Sequence, residues 1–139
     1  MHPKKFITIL LTLISFSCST KRTCTYYYEA GKIQQAQTNC YDAITLYSKS
    51  IKSSSTTYLQ AYRKRAESYL SLDSLLPAIR DYDTLIKYSA SQDDLASFYI
   101  LKGNALYLNS QDKEACDYYY KARNLNSTQA WDKIRLICM

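Results

Sequence analysis

Tyr62-Arg-Lys-Arg-Ala-Glu-Ser-Tyr69, followed nine residues later by Ala78-Ile-Arg-Asp-Tyr82, is the stretch that decides the fold. It sets a small residue, Ala66, twelve positions before Ala78, sixteen before Tyr82 and nineteen before Leu85. The same intervals recur upstream as Gly31, Ala43, Tyr47 and Ser50, and downstream as Gly103, Ala115, Tyr119 and Ala122. A tyrosine stands four residues before each opening small residue, at Tyr27, Tyr62 and Tyr99. The steps between copies are 35 and 37 residues. That period belongs to repeated helical hairpins, each of which buries its apolar face only by stacking on a neighbour.

The residue types fit that geometry. Two helices that cross closely need little bulk at the crossing, so Gly31, Ala66 and Gly103 are expected to face Ala43, Ala78 and Ala115. The tyrosines fill the adjoining space with a large ring and keep a hydroxyl for the hairpin edge. Thr38-Asn39, Asp73-Ser74 and Ser110 fall where a first helix ends and a second begins, and their side-chain oxygens can accept from free amides. Asn39 with Asp42, and Ser91 with Asp94, have the offset of a capping box. Pro77 suits a first helical turn. The polar stretches 52–57 and 89–94 read as lengthened turns between repeats.

These residues resemble the tetratricopeptide repeat family, over roughly residues 24 to 126. Lys102-Gly-Asn-Ala-Leu-Tyr107 with Glu114-Ala115 matches as well as the middle copy. The first copy departs at Gln34, where the family has an aromatic or apolar residue. The resemblance implies an all-α, right-handed α-solenoid. Its three helix-turn-helix repeats would span about 24–57, 58–94 and 95–126, with a capping helix over 127–139 in which Trp131, Ile134, Leu136 and Ile137 supply the apolar atoms. It also implies a concave groove lined by the first helices. By phase that groove takes Tyr28, Lys32 and Gln35, then Arg63, Glu67 and Leu70, then Ile100, Asn104 and Tyr107, a set suited to an extended peptide or a partner helix. The family's clamp for a C-terminal carboxylate is hinted at only by Lys32 and Asn104, so that specificity is not carried over.

Lys4-Lys5, eleven apolar or hydroxylic residues from Phe6 to Phe16, and Ser17-Cys18 make a short export signal, too short to span a bilayer, for which about 20 residues are needed. The pattern is similar to a bacterial lipoprotein signal, although Ser15 stands where that signal has an aliphatic residue. Residues 1–17 would be removed, Cys18 would carry the lipid and residues 18–23 would form a tether. Ser19, with no acidic tag after it, fits the outer membrane facing the periplasm. Conventional cleavage without a lipid is the alternative.

A chain starting at Cys18 loses Lys4 and Lys5 but no acid, so its formal charge falls from +6 to +4. That is too mild for a nucleic-acid footprint. His2, the only histidine, lies in the signal, and two glycines leave no phosphate-cradling loop. Asp81 with Asp83, and Asp93 with Asp94, read as solvated surface or caps, as does the basic run Arg63-Lys64-Arg65. No catalysis, cofactor, metal or small-molecule substrate is expected. The function implied is a membrane-tethered adaptor that binds a protein or peptide. The alternative is an assembly factor for an outer-membrane complex, similar to small tetratricopeptide lipoproteins of that role. With Cys18 lipidated, Cys116 and Cys138 are placed to clamp the capping helix by a disulfide. Two buried thiols are the other reading.

Overall fold

The computed structural model describes residues 26–35, 39–54 and 58–139. The signal, the tether, Cys18, Cys24 and Thr38 lie outside the described residues. Every regular element among the described residues is helical: α1 (26–35), α2 (Cys40–Ser53), α3 (Leu59–Leu70), α4 (Leu75–Lys87), α5 (Gln92–Leu108), α6 (Asp112–Asn124) and α7 (Thr128–Ile137). The chain divides after Ala61 into two units, and α3 runs through the division.

In the first unit, α2 buries Cys40, Ala43, Tyr47 and Ser50, one stripe at helical spacing. Ala43, Tyr47 and Ser50 are fully inaccessible. Gly31 of α1 lies so near α2 that a Cβ built there would stand 2.6 Å from Tyr47 Cε1. Tyr28, Ala43, Tyr47 and Ala61 form the core, with Ile51 and Tyr58 packed at its edge.

The second unit repeats the arrangement. Ala66, Ala78, Tyr82 and Leu85 are fully buried, as are Ala115, Tyr119 and Ala122. Gly103 reproduces the approach of Gly31, with a built Cβ 2.6 Å from Tyr119 Cε1. Helix α5 packs against both α4 and α6. Its buried residues, Ala96, Phe98, Ile100, Lys102, Gly103, Ala105 and Leu106, therefore lie all round the helix and not along one stripe. Helix α7 sits on α6 and contributes Ala130 and Ile134 to the interior. Trp131 and Leu136, expected to supply the apolar face of the cap, are 56% and 76% exposed. The reason is register: Ala130 and Ile134 are one helical turn apart and take the inward stripe, which leaves Trp131 over the Arg123 guanidinium at 5.3 Å.

Turn chemistry follows from helix ends. The Asn39 side chain accepts from the Asp42 amide, and Ser91 Oγ accepts from the Asp94 amide at 3.0 Å, so both N-caps form. The return bonds run between side chains, from Asn39 Nδ2 to Asp42 and from Ser91 Oγ to Asp94, and not to the cap amides of full capping boxes. Ser110 is not a cap. Gln111 holds that position, while Ser110 itself is a left-handed turn residue at φ 59°. Asp73 (φ 53°) and Asn126 (φ 63°) do the same in their turns. In each case the next amide reaches back to a carbonyl five residues earlier: Ser74 to Tyr69, Gln111 to Leu106 and Ser127 to Ala122. The chain thus spends its two glycines on helix approach and leaves non-glycine residues in the left-handed turns.

Two glycine exchanges should have opposite signs in urea unfolding. Gly103→Ala should destabilise by about 1–3 kcal/mol, since the buried Tyr119 ring has no room to retreat. Ser110→Gly should stabilise by about 0.5–1 kcal/mol by relieving the left-handed backbone.

Candidate interaction surface

The nine residues expected to line a groove do not share one environment. In the first unit Tyr28 is 8% exposed and packs on Tyr47 and Tyr58, at ring separations of 5.9 and 5.2 Å. It belongs to the core and not to a groove. Lys32 is exposed, paired with Glu29 at 3.0 Å. Gln35 is half-buried and its Oε1 accepts from the Tyr47 hydroxyl at 3.0 Å.

In the second unit Ile100 is 3% exposed, packed with Ala122 of α6 and Ala130 of α7. It too is core, because the capping helix covers it. Arg63 is exposed and pairs with Glu67 at 3.4 Å, and Lys64 Nζ donates to the same carboxylate at 2.7 Å. Leu70 is half-buried, and Tyr107 is exposed. Asn104 Oδ1 accepts from the Tyr119 hydroxyl at 3.0 Å. A buried tyrosine therefore fixes the amide plane of Gln35 in one hairpin and of Asn104 in another. With each carbonyl oxygen engaged, the amide hydrogens remain for an outside acceptor.

The charged residues of α3 and α4 are less solvated than their run-like sequence implies. The Arg65 guanidinium makes two parallel bonds to Asp81, Nε to Oδ2 at 2.8 Å and Nη2 to Oδ1 at 2.7 Å, and Asp81 is 4% exposed. Tyr62 and Tyr69 flank that guanidinium at 5.3 and 5.9 Å. Burial alone would pull the Arg65 pKa down, but the bonds to Asp81 outweigh it and the net shift is upward. In the next hairpin Lys102 takes the equivalent place, one residue before the crossing glycine. Its ammonium binds Asp83 and donates to the Tyr118 hydroxyl at 2.8 Å, with the Tyr118 ring 4.3 Å away. Burial again pulls its pKa down, and the bonds to Asp83 and Tyr118 raise it overall. The reading of Asp81 and Arg65 as solvated surface is thus overturned. The signal that marks these pairs is a basic residue immediately before the crossing small residue in two of the three hairpins, Arg65 before Ala66 and Lys102 before Gly103.

Cys116 and Cys138 are bonded, with their Cα atoms 5.7 Å apart and a sequence separation of 22. Cys138 is the residue after α7, not midway along it, so the bridge fastens the end of that helix to α6. Cys40, the free thiol among the described residues, is buried. No group of three or more His, Cys, Asp or Glu among the described residues could hold a metal ion. Shallow concavities of about 380 and 310 Å³ in the second unit are lined partly by the two ion-pair clusters, Lys102 with Tyr118 and Arg65 with Asp81.

No family model matches the chain, and no curated protein does. Solved structures do. The first tetratricopeptide domain of Spaghetti (RPAP3), solved bound to the HSP90 peptide SRMEEVD, is similar with a TM-score of 0.71 and 21% identity, over 84% of this chain and 91% of that one. The N-terminal domain of stress-induced protein-1 (STI-1) from C. elegans is similar with a TM-score of 0.75 and 13% identity, over 86% and 98%. The fold is therefore the all-α helical-repeat fold of tetratricopeptide domains.

Two measurements follow from the buried polar groups. Asp81→Ala strands the Arg65 charge and should cost about 3–5 kcal/mol, whereas Asp132→Ala, which breaks a surface pair with Arg135, should change unfolding by less than about 1 kcal/mol. Tyr82 and Tyr119 are each pushed up to about 12 by burial, above the usual 10. Folded protein then holds those protons where unfolded chain releases them. Stability should be intact below pH 10 and should fall between about pH 10 and 12, with Lys102 adding in the same direction. Urea midpoints across that range check it, and Tyr119→Phe should flatten the decline.

Proposed function

We propose that this chain is a non-catalytic tetratricopeptide scaffold that binds a segment of another protein through the first helices of the hairpins in its second unit. The supporting observation is the Asn104 amide, whose carbonyl is fixed by the buried Tyr119 hydroxyl and whose Nδ2 hydrogens have no partner among the described residues. Such a group suits the carbonyl oxygens of a bound chain, and it costs little ordering on binding because its plane is already set. Arg63 and Tyr107 stand exposed on the same unit, and both residue types are common anchors at interfaces. The RPAP3 domain, of the same fold, holds a peptide. No cofactor, nucleic acid or small-molecule substrate is part of this reading.

The finer reading places the scaffold at a bacterial envelope, held to the outer membrane on its periplasmic side by acyl chains on Cys18. Its support is the sequence pattern around Cys18, and more than one acyl chain is the usual requirement for durable attachment. An assembly factor for an outer-membrane complex is the version of this reading in which the partner is an outer-membrane pore protein.

Asn104→Asp tests the binding surface, because the new side chain keeps an acceptor for Tyr119 and replaces the outward donor by a negatively charged acceptor, which repels a partner's oxygen. Crosslinking in intact membranes, with the captured partner's segment resynthesised as a peptide, should give about a tenfold weaker Kd for Asn104→Asp at nearly unchanged urea midpoint. Equal affinity of the two proteins would remove Asn104 from the interface. Cys18→Ser should move the protein from the membrane to the soluble fraction, and retention in the membrane would exclude the lipid tether.

A further inference from the structure

Tyr47, Tyr82 and Tyr119 occupy one equivalent position in three hairpins, and all three rings are fully buried. Two of their hydroxyls are matched, by Gln35 and by Asn104. The Tyr82 hydroxyl is buried and has no hydrogen-bond partner among the described residues.

The sequence explains the difference. Gln35 stands four residues after the crossing Gly31, and the middle hairpin has Leu70 at that place, which offers no acceptor. Asn104 stands one residue after the crossing Gly103, and the middle hairpin has Glu67 there. Glu67 is an acceptor, but its carboxylate is held by Lys64 at 2.7 Å and by Arg63 at 3.4 Å. Among charged neighbours, Glu67 and Arg63 act on the Tyr82 hydroxyl most, Glu67 raising its pKa and Arg63 lowering it. A buried donor without a partner is rare in a folded protein, since it has given up its water and gained nothing.

We infer that the Tyr82 hydroxyl is an anchor point for the bound segment. A carbonyl or carboxylate oxygen of the partner takes the place that the Gln35 and Asn104 amide oxygens take in the other two hairpins. This rests on the interaction surface proposed above and names the chemistry of its middle hairpin: an oxygen acceptor received by Tyr82, with the Arg63 guanidinium as a second donor beside it. Tyr82 is protonated at neutral pH and so has a proton to donate to that oxygen. The side chains near it, Arg63 and Glu67, are long and partly exposed, at 52% and 31%. Binding at the hydroxyl requires those two side chains to turn aside.

The experiment has two arms. In the first, Tyr47→Phe, Tyr82→Phe and Tyr119→Phe are compared in urea without any partner. Tyr47→Phe and Tyr119→Phe should lower the unfolding midpoint, and Tyr82→Phe should leave it unchanged or raise it. A fall for Tyr82→Phe as large as for Tyr119→Phe means that the hydroxyl already has a partner in the free protein, Glu67 or water, and the inference fails. In the second arm, heptapeptides with free C-termini are selected from a random library on the wild-type protein, and the tightest is titrated calorimetrically. Tyr82→Phe should bind that heptapeptide about tenfold more weakly, and equal affinity overturns the inference. Amidating the peptide's C-terminus separates the two oxygen sources: a further loss on wild type assigns the carboxylate, and no loss assigns a main-chain carbonyl. Selected heptapeptides that bind Asn104→Asp and Arg63→Ala as tightly as wild type would defeat the surface itself, independently of the result for Tyr82. A library that yields no binder defeats both.

Discussion

The structure depends on how closely paired helices approach. Gly31 meets Tyr47, and Gly103 meets Tyr119, so tightly that one added methyl group would overlap the ring. Each ring is thereby held by backbone on one side and by its own helix on the other. A tyrosine packed this way is rigid without needing a thick apolar layer, which suits a hairpin only two helices deep. The hydroxyl then emerges at a defined place. Where an amide stands there, the ring's rigidity passes to the amide, and a surface side chain becomes a fixed hydrogen-bonding group.

The middle hairpin departs from this scheme in two ways at once. Ala66 replaces the crossing glycine, and Tyr82 has no amide to meet. In exchange it carries the Arg65–Asp81 pair, flanked by Tyr62 and Tyr69. The following hairpin places Lys102 at the equivalent position but directs it to Asp83 of the preceding helix pair and to Tyr118 of its own. A repeat that keeps one apolar pattern can therefore vary its polar ties, and those ties distinguish otherwise similar hairpins. Removing one partner would leave a charge in a place poor in water, which is why these pairs fix the register of α3 on α4 and of α5 on α4.

The end of the chain shows how little of a terminal helix needs to be buried. Helix α7 sends Ala130 and Ile134 inward and keeps Trp131 and Leu136 in solvent. Two small contacts hold a ten-residue helix weakly, and the Cys116–Cys138 bridge constrains the same helix at its far end. In the chain-entropy account such a closed loop adds about 3 kcal/mol. Covering Ile100 is the structural consequence, and it converts a residue in groove phase into core.

Much of the fold is written in the one-dimensional pattern. The twelve-, sixteen- and nineteen-residue intervals locate Ala43, Tyr47 and Ser50 and their counterparts, all fully buried, because a helix repeats its inward face at fixed spacing and a crossing tolerates only small residues. The N-caps at Asn39 and Ser91 are equally local, since each bond spans three residues. What the pattern could not decide depends on contacts between helices far apart in sequence. Tyr28 and Ile100 share the phase of Arg63, yet they are buried, because burial is set by what lies across the gap and not by spacing. Asp81 reads as solvent-facing from its own neighbours and is made internal by Arg65, sixteen residues away. Leu70 and Glu67 stand in the middle hairpin where the others have Gln35 and Asn104, but that exchange acquires meaning only once the tertiary structure shows which groups the tyrosine hydroxyls meet.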